Sequence, residues 1–386
     1  MVAYWTKETM INTPVFKAHL NVEVIPGEGV LIMLESSAKA LHGGAYEKIV
    51  PLIDGIRSAD AIVDALGGQV DAAKVYYVLN ILEAKGYLAE ATADIIQERA
   101  RLVAPRANTT CQHKLADTAC WTAAARAAES ARADRLFNDP WADVLAGAIG
   151  KTWLESHSEF CDPLAIRTRF FDDFLLDAAS VHRIRQVVIL AAGMDTRALR
   201  LEWPAGTRIF ELDQPTLVAM KKQTLLANGI DSPAWRTVVG VDLNEDWEAA
   251  LLAAGFDPDL PSAWLLEGLL VYLPAPAVAQ LLERVAALAA QDSQLGCDVV
   301  NCSMLTSILS RTMINWFSDT GVAWRFGTDN PELLFNEHGW AATRSCAAAT
   351  AQRYGRPAPA AMPRSLRNVP GAFFVTATLA RDQTEN

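Results

Sequence analysis

A short apolar segment, a turn of small residues and a pair of acids follow one another in the middle of the chain. Residues 187–190 are apolar, the turn is centred on Gly193, and residues 208–210 lead to Glu211 and Asp213. A strand, a tight loop and an acid that ends the next strand form the half-fold that binds a nucleoside, because the acid accepts hydrogen bonds from the ribose hydroxyls. The GxGxxG pattern typical of dinucleotide sites is absent, because Ala191 and Ala192 occupy its early positions and Asp195 stands where a third glycine would be expected. The pattern therefore favours a nucleoside without a pyrophosphate, and S-adenosylmethionine is the obvious candidate.

The residues around this pattern resemble those of a known family. The stretches GMDTRALRL, residues 193–201, and ELDQP, residues 211–215, resemble motifs of the leucine carboxyl methyltransferase family, in particular its bacterial S-adenosylmethionine-dependent branch. The resemblance covers roughly residues 117–381. It implies an α/β, Rossmann-like class I methyltransferase with a mostly parallel seven-stranded sheet. It also implies S-adenosylmethionine as the cofactor and S-adenosylhomocysteine as the product.

The resemblance assigns cofactor contacts to several separated motifs. Asp242 is expected to accept a hydrogen bond from the adenine amino group, and Leu243 to pack on the adenine ring. Glu267 ends a fourth, fully buried strand, and the family places this acid beside the methionine part of the cofactor. The family usually has a glycine where Ala191 stands. The implied cofactor-binding residues are Arg126, Arg167, Ala191, Gly193, Asp195, Glu211, Leu212, Asp213, Asp242, Leu243 and Glu267.

The residues themselves leave one alternative open for Asp242. An aspartate that precedes an apolar helical pattern over residues 244–252 can cap the start of that helix. The interpretation as a helix cap and the interpretation as an adenine contact are compatible.

Three residues are candidates for the acceptor side of the reaction, namely Arg167, Arg169 and Tyr272. The resemblance implies that an arginine in the segment that contains Arg167 and Arg169 meets the carboxylate of the bound cofactor or of the substrate. Arginine is suited to this because its planar guanidinium can pair with two carboxylate oxygens at once. The sequence does not decide between Arg167 and Arg169, and Tyr272 could contact the substrate or pack in the core. A carboxylate has a pKa near ~4 and is ionised at neutral pH, so it needs no base. The motifs contain no evident histidine or lysine base, which favours carboxyl O-methylation, with nitrogen as the second choice of acceptor.

Composition restricts the remaining classes of function. The 386 residues are sufficient for two domains, and the net charge of −11 argues against a large nucleic-acid footprint. No apolar run reaches transmembrane length, and the first residues lack the apolar core of a signal peptide. Six cysteines without a CxxC pair and six unclustered histidines indicate free thiols in a reducing compartment and no metal site. We therefore expect a cytoplasmic protein that binds neither metal, nucleic acid nor membrane.

The first part of the chain predicts a small domain of three strands and three helices. Alternating or apolar runs predict strands over residues 16–24, 30–34 and 37–41, and helical spacing follows. Ser58 and Asp71 are suited to cap the second and third helices. The pattern is that of a winged-helix arrangement. We predict this domain over residues 12–93, a linker over residues 94–114 and the methyltransferase domain over residues 115–386.

A winged helix often binds DNA, but the charge of this one opposes it. Residues 1–93 contain 7 basic and 11 acidic residues, too few cations to neutralise phosphates. Residues 14–90 instead resemble the leader-binding domain of azole-forming cyclodehydratase partner proteins, a RiPP recognition element. Such domains bind a leader peptide as an added strand beside a groove. The peptide-binding residues implied are Ala38, Ala40 and Leu41 on the edge strand and Tyr76, Tyr77 and Asn80 on the third helix; packing is the alternative for the tyrosines.

The combination predicts a methyltransferase whose partner is a precursor peptide, with a leader that the first domain holds and a core that the second methylates. Fusion would raise the effective concentration of the core at the active site. Two rivals stay open. One is a small-molecule methyltransferase of polyketide or fatty acid type with a structural first domain, and the other is an inactive peptide-binding scaffold. A homodimer is also left open.

Overall fold

The computed structural model describes residues 11–17, 20–25, 27, 29–34, 37–92, 94–95, 111–357 and 369–379. The chain divides into two compact units, Met1–Ala107 and Asn108–Asn386. The division falls within the linker predicted over residues 94–114, most of which lies outside the described residues.

The first unit has five strands and three helices in its described part. Its elements are β1 (Pro14–Phe16), β2 (Asn21–Ile25), β3 (Gly29–Leu34), β4 (Ser37–Leu41), α1 (Gly44–Ile49), α2 (Ala59–Leu66), α3 (Ala72–Ala84) and β5 (Leu88–Glu90). Strands β2, β3 and β4 form an antiparallel sheet in that order, and β1 pairs with β5. The prediction of one strand over residues 16–24 is wrong, because β1 ends at Phe16 and the chain turns, with Leu20 N donating to Lys17 O at 3.0 Å.

The helices of the first unit begin where their capping residues predict. Ser58 Oγ accepts a hydrogen bond from Ala61 N at 3.2 Å, and Asp71 Oδ1 accepts one from Ala73 N at 2.9 Å. These bonds satisfy main-chain donors that have no partner inside a helix. The apolar stripe of α3 is buried against α1, α2 and β5, and it consists of Val75, Val78, Leu79 and Leu82.

The second unit alternates strands and helices. Its helices are α4 (Cys111–Ser130), α5 (Ala142–Ser156), α6 (Cys161–Ser180), α7 (Arg197–Arg200), α8 (Pro215–Ala227), α9 (Trp247–Ala253), α10 (Ala275–Leu288), α11 (Cys302–Thr306), α12 (Ile308–Asp319), α13 (Pro331–Asn336) and α14 (Ala347–Arg353). Its strands are β6 (Gln186–Leu190), β7 (Arg208–Asp213), β8 (Arg236–Gly240), β9 (Ser262–Leu266), β10 (Gln294–Val300), β11 (Trp340–Cys346) and β12 (Ala372–Leu379). Short 3₁₀ helices span Val50–Leu52, Ser158–Phe160 and Leu270–Tyr272.

The seven strands form one sheet in the order β8-β7-β6-β9-β10-β12-β11. Strands β6 to β10 are parallel to one another, and β12 runs antiparallel to both of its neighbours. The predicted Rossmann-like architecture with a mostly parallel seven-stranded sheet is therefore confirmed. The direction in which the chain adds strands reverses between β6 and β9, and ligands of such sheets bind at the carboxyl ends of the strands beside this reversal.

The central strands are apolar because helices cover both faces of the sheet. Every residue of β6 and of β9 is buried, as expected for parallel strands between two layers of helices. Phe210 and Trp264 pack on one face, and Phe171 of α6 packs on the other. The loops that follow these strands are thereby held on a rigid base.

Two classes of structure are not found in the described residues. Among their helices, none combines the length and the apolar character needed to cross a lipid bilayer. No group of three or more histidine, cysteine, aspartate or glutamate side chains is placed there to hold a metal ion.

Candidate cofactor and acceptor site

A cavity of about 740 Å³ lies at the carboxyl ends of the central strands. Such a volume is within the range of small-molecule sites, which span roughly 300–1,000 Å³. Most of the predicted site residues of the second unit line it together. These are Arg126, Arg167, Ala191, Gly193, Asp195, Asp213, Asp242, Leu243, Glu267 and Tyr272. Three predicted residues are not among its lining residues, namely Arg169, Glu211 and Leu212.

The loop after β6 turns sharply to place its main chain against the cavity. Ala191 and Gly193 have φ angles of 51° and 47°, in the left-handed region that costs a residue with a Cβ about 1–2 kcal/mol. Ala191 accepts this cost where the resembling family usually has glycine. A Cβ on Gly193 would stand 3.2 Å from the Cβ of Ala119 on α4. Glycine at 193 is therefore required both by the turn and by the close approach of α4.

Asp213 closes this loop from the neighbouring strand. Its Oδ2 accepts a hydrogen bond from Gly193 N at 2.6 Å, and its Oδ1 accepts one from Gln214 N at 2.7 Å. Burial raises the pKa of Asp213 above its ordinary value, although these two main-chain donors act in the opposite direction. Asp213 has no salt-bridge partner within the described part of the chain, so its carboxylate can accept hydrogen bonds from ligand hydroxyls.

Glu211 is separated from Asp213 although both were expected to hold the ribose. Its carboxylate pairs with Lys221 at 2.7 Å and with Arg236 at 2.7 and 2.8 Å. Burial acts to raise the pKa of Glu211, but the two cations outweigh it and the pKa lies below its usual range. Glu211 lies two residues before the end of β7, which corresponds to about 7 Å along the strand. At this position α8 covers the sheet. Leu212 points to the other face and is fully buried in the core.

Asp242 and Leu243 line the cavity after β8. Asp242 Oδ1 accepts hydrogen bonds from Asn244 N at 2.9 Å and from Asn244 Nδ2 at 2.8 Å. The helix predicted to start at residue 244 begins at Trp247, and Asp246 caps it. The interpretation of Asp242 as the helix cap is therefore wrong, and its position on the cavity wall is explained by the turn that Asn244 stabilises.

Arg167 of α6 is held between two acids at the carboxyl end of β9. Its Nε donates to Glu267 Oε1 at 2.8 Å, and its Nη1 donates to Asp298 Oδ2 at 3.2 Å. In the described part of the chain, Nη2 of Arg167 has no hydrogen-bond partner. The guanidinium is thus oriented by the protein and retains donor capacity on a residue that lines the cavity.

Arg169 lies outside the cavity. Its Nε pairs with Asp173 at 2.9 Å and its Nη1 donates to Leu136 O at 2.6 Å. Two residues of an α-helix are separated by about 200° around the axis, so Arg167 and Arg169 point in nearly opposite directions. Position on the helix separates the two arginines that the sequence left equivalent.

Asp298 belongs to the site but was missed in the sequence. Its Oδ1 accepts a hydrogen bond from Gly268 N at 2.6 Å, opposite the oxygen that meets Arg167. Burial raises the pKa of Asp298, while Arg167 acts to lower it. A charged side chain buried in a strand is energetically costly, and this cost suggested a role for Glu267. The same reasoning, applied to the acid in β10, could have predicted a role for Asp298.

Arg197 is the second missed residue, although it lies inside the GMDTRALRL motif. It is 2% exposed, and it pairs with Asp172 at 2.7 Å, with Glu267 at 2.8 Å and with Asp195. Burial alone would raise the pKa of Asp195, but Arg197 outweighs it and the pKa lies at about 2. Burial likewise acts to raise the pKa of Glu267, and Arg197 and Arg167 bring it below its usual range.

Arg126, a residue of α4, holds the loop on the side of Met194. Its Nε pairs with Asp139 at 2.8 Å, and its Nη2 donates to Met194 O at 2.5 Å. Asp139 also accepts from Thr196 Oγ1 at 2.6 Å. This buried aspartate therefore joins α4 to the residues just after the turn.

Tyr272 completes the set of predicted residues on the second unit. It ends the 3₁₀ helix Leu270–Tyr272 that follows Glu267, and it lines the cavity. Burial raises the pKa of Tyr272, and Arg167 acts to lower it. Its position permits contact with a bound acceptor.

The predicted peptide-binding residues lie on two elements of the first unit. Ala38, Ala40 and Leu41 belong to β4, the outer strand of its sheet, and Ala40 is exposed. On α3, Tyr76 OH donates to Asp60 and Asn80 Nδ2 donates to Tyr76 O at 2.9 Å. Tyr77 is 55% exposed, and Lys74 Nζ lies 5.0 Å from its ring centre.

Among the described residues, α1 packs on β2 and β3 of this sheet, and α3 packs on α1, α2 and β5. The apolar stripe of α3 shares one core with Val30 and Ile32 of β3. The groove that was expected to join the β4 edge and the tyrosines stays a prediction.

The donor set of the cavity fits a cationic nucleoside ligand. Asp213 and Asp242 line the cavity without a salt-bridge partner in the described ranges, and Glu267 lines the same cavity. Carboxylates in this arrangement accept hydrogen bonds from hydroxyl and amino groups and favour positive charge. The left-handed turn at Ala191 and Gly193 brings bare main chain to the same wall. These features match the hydroxyls, amino groups and sulfonium of S-adenosylmethionine.

Each of the two parts of the chain matches a known protein family. The leucine carboxyl methyltransferase family matches residues 119–286, and a winged helix-turn-helix domain matches residues 15–90. The second match agrees with the predicted winged-helix arrangement of the first unit.

Individual relatives match this chain over most of their own length. A protein of Mycolicibacterium gilvum (strain PYR-GCK), named "Putative S-adenosyl-L-methionine-dependent methyltransferase", is 39% identical over 301 residues, which cover 69% of this chain and 94% of the relative. A protein of the same name from Saccharopolyspora erythraea is 39% identical, with 62% of this chain and 88% of the relative covered. A solved structure from Thermobifida fusca YX, described as a "putative methyltransferase", is 17% identical, with 68% of this chain and 94% of that chain covered and a TM-score of 0.47.

Proposed function

Because the chain belongs to the leucine carboxyl methyltransferase family and is an S-adenosylmethionine-dependent methyltransferase, we propose that it O-methylates a carboxylate of a ribosomally made peptide. The first unit holds the leader of this precursor peptide, and the second unit methylates its core. The observation that carries the choice of acceptor is Arg167, which lines the cavity and is oriented by Glu267 and Asp298.

The residues that hold the cofactor are those that line the cavity beside the strand ends. Gly193 and Asp213 are assigned to the ribose side, Asp242 and Leu243 to the adenine, and Glu267 to the methionine part. Arg126 and Arg197 act indirectly, since they fix the loop and the acids around it. Glu211 and Leu212 are assigned structural roles.

The chemistry requires positioning more than proton transfer. When bound, the cofactor supplies a methyl carbon that bonds to a carboxylate oxygen while its carbon–sulfur pair stays on sulfur, so no proton moves. The described lining of the cavity contains no histidine or lysine, which suits an acceptor that is already ionised. Arg167 can donate to one carboxylate oxygen and leave the other to react. Holding two reactants in line can contribute roughly 7–11 kcal/mol.

A nitrogen acceptor is the second choice, and Asp298 supports it. A nitrogen must lose a proton during methylation, and the raised pKa of Asp298 makes its carboxylate the better proton acceptor among the acids paired with Arg167. The Asp298→Asn variant distinguishes the two acceptors, because a nitrogen acceptor needs Asp298 to take its proton, whereas a carboxylate acceptor has no proton to lose.

Peptide capture rests on the resemblance of residues 14–90 to leader-binding domains. The outer position of β4 supports it, because an edge strand offers unpaired main-chain groups to an added strand. The exposed ring of Tyr77 supplies apolar surface in the same unit.

The proposal is tested with labelled cofactor and the precursor peptide encoded beside the gene. Label should enter the core peptide, and the initial rate should fall when the leader is removed. If the rate of methyl transfer is the same with and without the leader, the result would favour a small-molecule methyltransferase. The apolar part of the cavity also favours that candidate. Cofactor binding without transfer to any acceptor would identify a scaffold.

A pair of arginine variants tests the acceptor contact. Arg167→Lys keeps the charge but loses the planar guanidinium, and we expect kcat/KM to fall about 10- to 100-fold, as for a lost charged hydrogen bond. Arg169→Lys on the opposite side of α6 is the matched control and should stay within about twofold. Affinity for S-adenosylhomocysteine is measured for both, so that a cofactor defect is not mistaken for an acceptor defect. Equal losses in the two variants would remove the assignment.

A further inference from the structure

One part of the cavity is lined by a continuous set of aromatic rings, which we name the aromatic wall. It comprises Trp121, Trp153, Phe160, Phe317 and Trp324. Neighbouring ring centres are separated by 5.6 Å for the first pair, then by 5.9, 6.1 and 4.8 Å along the series. The pairs are stacked except for Phe160 and Phe317, which meet edge to face. Rings at these separations attract one another and form a continuous apolar surface.

The aromatic wall is braced from behind. Trp316, which is not a lining residue, lies 5.1 Å from the ring of Trp121 and 4.9 Å from that of Phe317. Its other side meets His157 at 4.4 Å. A surface held by a second layer of rings is preformed, so a ligand that stacks on it pays little conformational entropy.

The Trp324 end of the aromatic wall lies at the acceptor end of the cavity and not at the adenine end. Arg325 N, next to Trp324, donates to Val271 O at 2.7 Å, and Thr328 N donates to Val300 O at 2.8 Å. These bonds join the wall to the ends of β9 and β10. Asp242 follows β8, four strands from β10 in the sheet, or about 19 Å at the usual strand spacing.

The helix α6 gives the distance between the aromatic wall and the reacting end. Phe160 stands just before α6, and Leu164 and Arg167 follow it on the same helical face, all three lining the cavity. Seven residues of helix correspond to about 10 Å. A molecule that reaches both Arg167 and the wall therefore has its ring about 10 Å from its carboxylate.

We propose that the acceptor is an aromatic carboxylic acid whose ring stacks on the aromatic wall while its carboxylate meets Arg167. This inference rests on the proposed carboxylate methylation and adds the class of acceptor. The ring can belong to a free aryl acid or to an aromatic residue near the modified carboxylate of a peptide. Met304 and Met313 also line the cavity, and their flexible thioethers can adapt to rings of different shape.

The test uses the full chain with saturating S-adenosylhomocysteine and measures the binding of three acids by calorimetry. They are ω-phenylhexanoate, ω-cyclohexylhexanoate and hexanoate, which separate an aromatic ring from equal apolar bulk and from the bare chain. We expect the phenyl acid to bind about fivefold more tightly than the cyclohexyl acid, the range of a specific ring pair. Hexanoate should bind most weakly. Equal binding of the phenyl and cyclohexyl acids would overturn the proposal.

A tryptophan pair locates the effect. Trp324→Leu should bring the preference for the phenyl acid below about twofold, because one stacked ring is lost. Trp235→Leu replaces a 48% exposed tryptophan that is not a lining residue, and the preference should be kept. Loss of the preference in both variants, or in neither, would contradict the assignment to the aromatic wall.

Two further measurements separate this inference from the proposed function. If the phenyl acid binds but receives no label from the cofactor, carboxylate methylation fails while ring recognition stands. If hexanoate and the phenyl acid are methylated with equal kcat/KM, methylation stands and ring recognition fails. Replacing the aromatic residues of the precursor core by leucine assigns the source, since a peptide-borne ring predicts slower methylation of the altered peptide.

Discussion

The acids around the cavity differ in what holds them, and this difference decides their roles. Asp213 is held by two main-chain N–H groups and keeps its charge available to a ligand. The charge of Glu211 is already paired with Lys221 and Arg236, so it is not available to a ligand. Similar side chains two positions apart therefore contribute to binding in one case and to stability in the other.

This division predicts opposite effects for two conservative substitutions. Asp213→Asn should weaken the binding of S-adenosylhomocysteine about 10- to 100-fold, because a charged hydrogen bond to the ligand contributes ~1.5–3 kcal/mol. Glu211→Gln should leave that affinity nearly unchanged but lower the free energy of unfolding by about 3–5 kcal/mol, since two buried cations lose their partner. Calorimetry and urea unfolding of both variants check this. The reverse pattern would return the ribose role to Glu211.

Asp195 makes the free energy of unfolding of the second unit depend on pH under acidic conditions. The folded pKa of about 2 lies below that of an unfolded aspartate, near ~3.9. Its contribution to stability is therefore complete above the unfolded value and is lost as the pH falls through the folded value. We expect Asp195→Asn to be less stable than the native chain at pH of about 6, with the difference shrinking as the pH falls toward ~2. Urea unfolding across this range measures it, and a difference that is constant or grows on acidification would contradict it.

At the scale of elements, the site depends on a loop that is forced into an unfavourable conformation. Two of its residues have positive φ, and α4 approaches it closely. The sheet and α4 supply the packing that holds it there. Strain of this kind is found where main chain must approach a ligand.

A glycine pair isolates this requirement. Gly193→Ala should lower both stability and cofactor affinity, because it adds about 1–2 kcal/mol of backbone strain and a contact with Ala119. Gly206→Ala is the matched control, with a φ of 82° but no atom within 4 Å of an added Cβ. It should lose stability by a similar backbone term of ~1–2 kcal/mol and keep the native affinity for S-adenosylhomocysteine. Thermal unfolding and calorimetry check both variants, and unchanged affinity in Gly193→Ala would show that the loop does not meet the ligand.

At the scale of the whole molecule, the cavity and the winged-helix match fall in different units. The described residues that line the cavity all belong to the second unit. The matched winged-helix domain belongs entirely to the first. The proposed function therefore assigns cofactor binding to one unit and peptide selection to the other.

Removal of residues 1–107 tests this division. The remaining chain should bind S-adenosylhomocysteine within about twofold of the native affinity and methylate free aryl acids. Its kcat/KM on the leader-bearing peptide should fall about 10²- to 10⁴-fold, the usual gain from a linked second contact. Adding the separate first unit at low concentration should not restore the rate. Full activity of the shortened chain on the peptide would leave the first unit without a role in capture.

The local features of this protein follow from short stretches of its amino-acid sequence. The strands β6 and β9, the turn at Gly193 and the helix caps at Ser58 and Asp71 depend on residues close together in the chain. Hydrophobic period, turn chemistry and capping hydrogen bonds act over a few positions, so a single sequence displays them. The strand predicted over residues 16–24 failed because the pairing of β1 with β5 is a long-range contact.

Contacts between side chains that are distant in the sequence became visible in the folded protein alone. Arg167 and Asp298 are 131 positions apart, and their bond exists because α6 packs beside the end of β10. The same packing turned Arg169 away and enclosed Glu211 under α8. A charged side chain takes its role from the partners that folding brings to it, and those partners come from elements whose placement no local pattern records.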